Sequence, residues 1–257
     1  MKKTVLFLCA ICLVCVCLAL PTQASIRSYS WYCAHVKDHE RPTVGSELAF
    51  VEELDGYYLD RREEEKVIYL TFDAGYENGN VASILDTLRE ENVPAAFFIL
   101  GHLITKETEL VKRMAREGHT VCNHTVHHKN MSDATSETFL SELRELESLY
   151  RTHVGEELSP YYRPPEGRFS RENLECAKEN GYKTVFWSFA YPDWDNERQM
   201  SAEKAKAIIL DNVHNGEVML LHPTSATNAA ILKDVIQTLK AQGYRFGTLD
   251  ELTGDGA

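Results

Sequence analysis

From residue 66 onward, short apolar runs alternate with segments whose apolar residues recur every three or four positions, and no other feature restricts the fold as strongly. A strand over 67–72 is followed by a helix over 81–91, and a run over 95–100 by a helix over 106–117. A run over 120–122 precedes a helix over 136–153, a helix over 171–180 leads into a strand over 185–189, and a helix over 202–213 leads into one over 218–221. A helix over 229–242 and a short strand over 245–248 complete the pattern. Strands separated by helices pair in parallel through crossovers, so the pattern predicts an α/β fold with a parallel sheet, open or closed into a barrel. There is no internal repeat and no low-complexity segment.

The chain has 257 residues, 44% of them hydrophobic, enough for one sizeable core in a single catalytic domain. Residues 1–24 carry Lys2 and Lys3 ahead of an apolar run over 5–20 and small residues near Ala24, the pattern of an export signal. The run is close to the lower limit for spanning a bilayer, so an uncleaved anchor and membrane association stay open. Residues 25–65 are mixed in character, with Trp31, Tyr57 and Tyr58 among many charges, and are expected to form an extension packed on a domain over 66–250.

Removing 1–24 takes away two lysines and no acids, leaving 25 cations against 39 acids, a formal charge of −14. Such a surface repels nucleic acid. Of seven cysteines, Cys9, Cys12, Cys15 and Cys17 fall in the leader. Cys33, Cys122 and Cys176 are too scattered for a disulfide framework or zinc knuckle and are expected to be buried thiols.

Polar residues recur just past the strand ends: Asp73, His124, Arg163, Asp193 with Trp194, and His222. In β/α folds those ends converge on the active-site face. Each residue alone has a plainer alternative. Asp73 could cap the next turn, or act as a general base whose pKa an apolar floor raises. His124 and His128, four apart, would share one face of a helical turn and grip a divalent cation, with His127 turned aside, or all three could belong to a polar loop. Arg163 precedes Pro164 and is therefore held extended; it could hold Asp73 in a bidentate fork or lie on the surface. Asp193 could be a turn residue, Trp194 a core aromatic and His222 a satisfied core histidine.

Taken in order, Thr71-Phe72-Asp73, His124 with His128, Arg163-Pro164-Pro165, Asp193-Trp194 and Leu220-Leu221-His222 resemble the five motifs of the NodB-like polysaccharide deacetylases, the family 4 carbohydrate esterases. The resemblance covers about residues 66–249 and implies a distorted (β/α) barrel. Tyr76-Glu77-Asn78-Gly79, Phe169-Ser170 and Val185-Phe186-Trp187-Ser188 are most similar to the branch that deacetylates muramic acid on the way to the delta-lactam of spore cortex. The implied substrate is then peptidoglycan, at N-acetylmuramic acid units freed of their stem peptides. The alternatives are a deacetylase of N-acetylglucosamine or chitin-like oligomers, and a catalytically weakened glycan-binding relative.

The family's roles imply a hydrolase of the acetamide C–N bond. A divalent metal, zinc by expectation, would sit on His124 and His128. Asp73 would be the base, Arg163 its orienting partner, and His222 the acid tuned by Asp193, with Trp194 and Leu220 forming the acetyl pocket. Two departures stand out. Ala74 replaces the family's second, metal-binding aspartate, and Glu166 stands where the muramic acid branch carries a basic residue. The lactyl carboxylate of muramic acid would need a cation, for which Arg168 is the candidate, with Glu166 pointing away.

Overall fold

The computed structural model describes residues 26–254, so the segment expected to be a leader, with its four cysteines, lies outside the described residues. The chain begins with β1 (Ser28–Ser30), α1 (Phe50–Glu53) and β2 (Gly56–Tyr57), then enters the alternation with β3 (Val67–Ala74), α2 (Asn80–Glu91), β4 (Ala96–Ile99), α3 (Gly101–Lys106) and α4 (Thr108–Arg116). It continues through β5 (Thr120–Asn123), α5 (Ser136–Val154), β6 (Tyr161–Tyr162), β7 (Arg168–Ser170), α6 (Arg171–Glu179), β8 (Lys183–Val185) and β9 (Phe189–Ala190). The last elements are α7 (Ala202–Asn212), β10 (Glu217–Leu221), α8 (Ala226–Ala241), β11 (Arg245–Phe246) and α9 (Leu249–Thr253).

Among the described residues the main sheet runs β2-β8-β6-β5-β4-β3-β10-β9, with β11 beside the start of β3, and every pair in it is parallel. Its ends, β2 and β9, do not pair with each other, and the sheet curls into a half-barrel. β3 explains why. Ile68, Leu70, Phe72 and Ala74 join the core under the outer helices, while Val67 and Tyr69 join Phe98, Cys122, Tyr161 and Val218 in a second cluster on the other face. Both faces of the strand are buried, so its sequence is an almost unbroken apolar run.

Register aligns the strand ends. Phe72 pairs with Leu221, Ala74 with Ile99, Ile99 with Asn123, and Asn123 with Tyr162. The residues that follow, Asp73, His222, His124 and Arg163, are thereby brought to one rim.

Helix starts follow local capping. The side chains of Thr135, Ser201 and Ser225 accept backbone N–H bonds at the starts of α5, α7 and α8, and Ser170 with Asn173 forms a reciprocal capping box on α6. The helix expected over 106–117 is α4, preceded across Glu107 by α3, a helix the apolar spacing did not indicate, and the strand expected over 185–189 divides into β8 and β9. The second break has a topological cause: β8 lies between β2 and β6, whereas β9 pairs with β10, so the chain must change neighbours.

Residues 26–65 do more than cover the domain. β2 is an edge strand of the main sheet, β1 pairs antiparallel with β7, and Trp31, Phe50 and Val51 share a core with Phe169, Leu174 and Phe186. Cys33, Cys122 and Cys176 are free and buried. No helix among the described residues is long and apolar enough to cross a membrane.

Candidate active site

Asp73 projects from β3 beside a fully buried Arg163, whose Nη1 donates to Asp73 Oδ1 at 2.8 Å. The fork is not bidentate. Arg163 Nη2 donates to Thr71 Oγ1 at 2.9 Å and to the Phe186 carbonyl at 3.0 Å, while Nε donates to the Val185 carbonyl at 2.9 Å. Those carbonyls become available at the break between β8 and β9. The guanidinium also lies over the Phe98 ring, 4.1 Å from its centroid. A buried cation with this many partners is locked in place and gives Asp73 a single bond.

The expectation that an apolar floor raises the Asp73 pKa is corrected. Burial alone acts in that direction, but the electrostatic interactions with His124, Arg163 and His222 and the Arg163 hydrogen bond outweigh it, leaving the carboxyl below its ordinary value.

His124 is buried, and its Nδ1–H donates to the Arg163 carbonyl at 2.9 Å. Nε2, left with its lone pair, lies 3.5 Å from Asp73 Oδ2. Burial pushes the ring's pKa down to about 4, against the pull of Asp73, so the imidazole is neutral. His128 meets it edge-on with ring centroids 4.9 Å apart. The two do not share a helical turn, however. Thr125 has φ 67° and His128 φ 57°, and a bond from the His128 N–H to Thr125 Oγ1 at 3.0 Å holds the loop. His127 turns away to Glu142.

A neutral imidazole with its far nitrogen hydrogen-bonded to a carbonyl is the usual preparation of a metal ligand, so His124 and His128 fit a divalent ion as a two-donor grip. Among the described residues no three His, Cys, Asp or Glu side chains converge as a metal cage. The Ala74 methyl is buried in the core beneath the helices, and the Glu77 carboxylate accepts the N–H groups of Gly79, Val81 and Ala82 at the start of α2. Glu77 is thus occupied as a helix cap.

Opposite Asp73, His222 follows β10 and donates from Nδ1 to Asp193 Oδ1 at 2.7 Å, and its backbone N–H donates to Asp193 Oδ2 at 2.8 Å. Burial would lower the His222 pKa, but the hydrogen bond and charge of Asp193, with the charge of Asp73, raise it above its ordinary value. Asn228, at the start of α8, donates to Asp193 Oδ2 at 2.6 Å and to the His222 carbonyl at 3.1 Å. Sequence reasoning missed Asn228, since an asparagine in a first helical turn has no distinguishing local signal.

Two cavities open here, of about 280 Å³ and 570 Å³, sharing Asp73, His128, Trp194 and His222. Leu220 lines the larger together with Trp187 and Tyr191, two aromatics outside the expected site set. Trp194 is 61% exposed with its ring 6.3 Å from His222, so it is a cavity wall and no core residue. Glu166 does not point away. It adopts φ 57° and lines the larger cavity, while Arg168 Nε lies 3.2 Å from its carboxylate. Arg168 thus faces the cavity only through its acidic partner.

The sequence matches the family described as Polysaccharide deacetylase over residues 60–185. It is 39% identical to the peptidoglycan-N-acetylmuramic acid deacetylase PdaA of Bacillus subtilis, over 87% of this chain and 85% of that protein. A peptidoglycan-N-acetylglucosamine deacetylase of Bacillus cereus is 34% identical over 73% of this chain and 88% of its own length. The solved structure of Bacillus subtilis PdaA, a family 4 carbohydrate esterase, superposes with a TM-score of 0.86 at 37% identity, covering 90% of this chain and 98% of that one.

Proposed function

Since the chain belongs to the polysaccharide deacetylase family, we propose that it hydrolyses N-acetyl groups from peptidoglycan amino sugars, acting on N-acetylmuramic acid in peptide-stripped strands that go on to the muramic delta-lactam of spore cortex. The observation that carries this reading is the pair of opposed dyads, Asp73 with Arg163 and His222 with Asp193, on one cavity beside two facing imidazoles. Residues 1–24 would send the chain out of the cytoplasm, to the glycan.

A divalent ion on His124 and His128, zinc in this reading, would supply Lewis acidity to the acetamide carbonyl and the attacking water, which a base as weak as Asp73 needs. Asp73 takes the water's proton; Arg163 keeps it ionised and aimed. His222, its pKa raised by Asp193, delivers a proton to the departing amine. Leu220 and Trp194, joined by Trp187, enclose the acetyl methyl.

Glu166 favours a second reading, in which N-acetylglucosamine is the substrate, because its carboxylate on the cavity wall would repel a lactyl group unless Arg168 neutralises it. In the muramic reading Arg168 is the cation for that group. Mass spectrometry of muropeptide digests, before and after treatment, compares intact with amidase-stripped strands. Loss of acetyl mass from muramic acid in stripped strands is expected, together with a preference that Arg168→Ala erodes by about 1–3 kcal/mol. Equal rates on chitin oligomers, with Arg168→Ala neutral on both, would favour the second reading.

A further inference from the structure

We infer that Tyr76, its hydroxyl held by Asn196, is the platform for the sugar next to the one being deacetylated, so that the site reads at least two units of a glycan strand. The inference rests on the glycan reading above. Four large apolar side chains are exposed among the described residues, and two of them, Tyr76 at 45% and Trp194 at 61%, stand on the rim of the cavities. Exposed aromatic surface beside a polar site is an unpaid solvation cost unless a ligand covers it, and the C–H face of a pyranose is a suitable cover for an aromatic ring.

Tyr76 is not exposed through slackness of its loop. The next residue caps α2, Asn78 Nδ2 donates to the Thr224 carbonyl at 2.9 Å, and Asn196 Nδ2 donates to the Tyr76 hydroxyl at 2.6 Å. That last bond ties the loop after β3 to the loop that carries Trp194, so two rings from different strand ends are held in fixed relation. The reacting acetamide must lie by Asp73 and His222, which both cavities share, whereas Tyr76 lines only the smaller one. A sugar on Tyr76 is therefore a different unit from the one whose methyl enters the larger cavity.

The test measures calorimetric affinity and acetate release for a single N-acetylated sugar and for a tetrasaccharide, on wild type, Tyr76→Ala, Tyr76→Phe and Asn196→Ala. Tyr76→Ala is expected to weaken tetrasaccharide binding and raise its KM about tenfold, leaving kcat and the single-sugar constants unchanged. Tyr76→Phe keeps the ring and is expected to lose less, and Asn196→Ala to match it. Equal losses on both substrates, or none on either, would overturn the platform, as would a wild-type protein with no higher affinity for the longer glycan. Binding that shows the length dependence without acetate release would uphold the platform and reject the deacetylase reading.

Discussion

The two ends of β10 carry the same residue types in opposite electrostatic states. After its last residue, His222 pairs with Asp193 on an open cavity, and the histidine's pKa is raised. At its first residue, Glu217 is fully buried beside His214, whose Nε2 accepts from Ser188 Oγ at 2.8 Å and whose Nδ1–H donates to the Asn212 carbonyl at 3.0 Å. There burial pushes His214 down to about 4 and Glu217 well above the ordinary carboxylate range, opposed only in part by the bond from the His214 N–H to Glu217 Oε2. Glu217 Oε1 has no hydrogen-bond partner among the described residues. Serine, histidine and glutamate side by side look like a nucleophilic triad, yet none of the three lines a cavity described at the rim. Residue identity does not decide between a working dyad and a neutral buried cluster; access to the cavity and an ionised partner do.

The largest expected contrast is in turnover. Asp73→Asn should cost a hundredfold or more in acetate release, on the order of general-base catalysis, with native circular dichroism and a lowered Tm because buried Arg163 loses its anion. Glu217→Gln, at the other end, should leave release within about threefold of wild type, since the amide preserves the shape and replaces an acid that lines neither cavity and whose pKa burial pushes well up. The reverse pattern would mean that the buried cluster is the reactive one.

Next in size is the effect of a new carboxylate at the rim. Ala74→Asp places an acid where a methyl is buried in the core, so thermal melts in chelator should show a loss of several kcal/mol. Zinc should restore part of it if the carboxylate can swing to the His124–His128 pair. A melt that does not respond to zinc would show that the side chain stays in the core.

A smaller effect concerns pH. His222 must be protonated to act as an acid, and its raised pKa carries activity to higher pH before the alkaline limb falls. Asp193→Asn removes the leading cause of that rise, so the limb should move to lower pH in a kcat profile. An unmoved limb would assign it to another group.

The smallest is a stability effect at the buried end. A folded-state pKa above the unfolded one means that the Glu217 contribution is fully present below the unfolded value and is lost as pH rises through the folded value. Wild-type Tm should therefore decline as pH rises above the ordinary carboxylate range, and Glu217→Gln should flatten that decline, an effect on the order of 1 kcal/mol in stability. Parallel Tm curves for the two proteins would remove Glu217 from the titration.

What the amino-acid sequence determined by itself was periodic or local. The parallel β/α order and the existence of α5 and α8 follow from apolar spacing, although α8 starts at Ala226 where 229 was expected, and Asp73, His124, Arg163, Asp193 and His222 were visible as polar residues ending apolar strands. Tertiary structure alone decided the rest, because it depended on partners distant in the chain. The downward shift of Asp73 needs His124 and Arg163, the latter 90 residues away, and the one-bond geometry of the Asp73–Arg163 pair needs carbonyls freed where the chain passes from β8 to β9. The left-handed turns at Thr125 and His128, the aim of Glu166 into the cavity and the bond of Asn228 to Asp193 have no periodic signature either. Apolar periodicity records which face of an element is buried, but a charge depends on the distance and solvation of every other charge around it, and those are set only when the strand register closes.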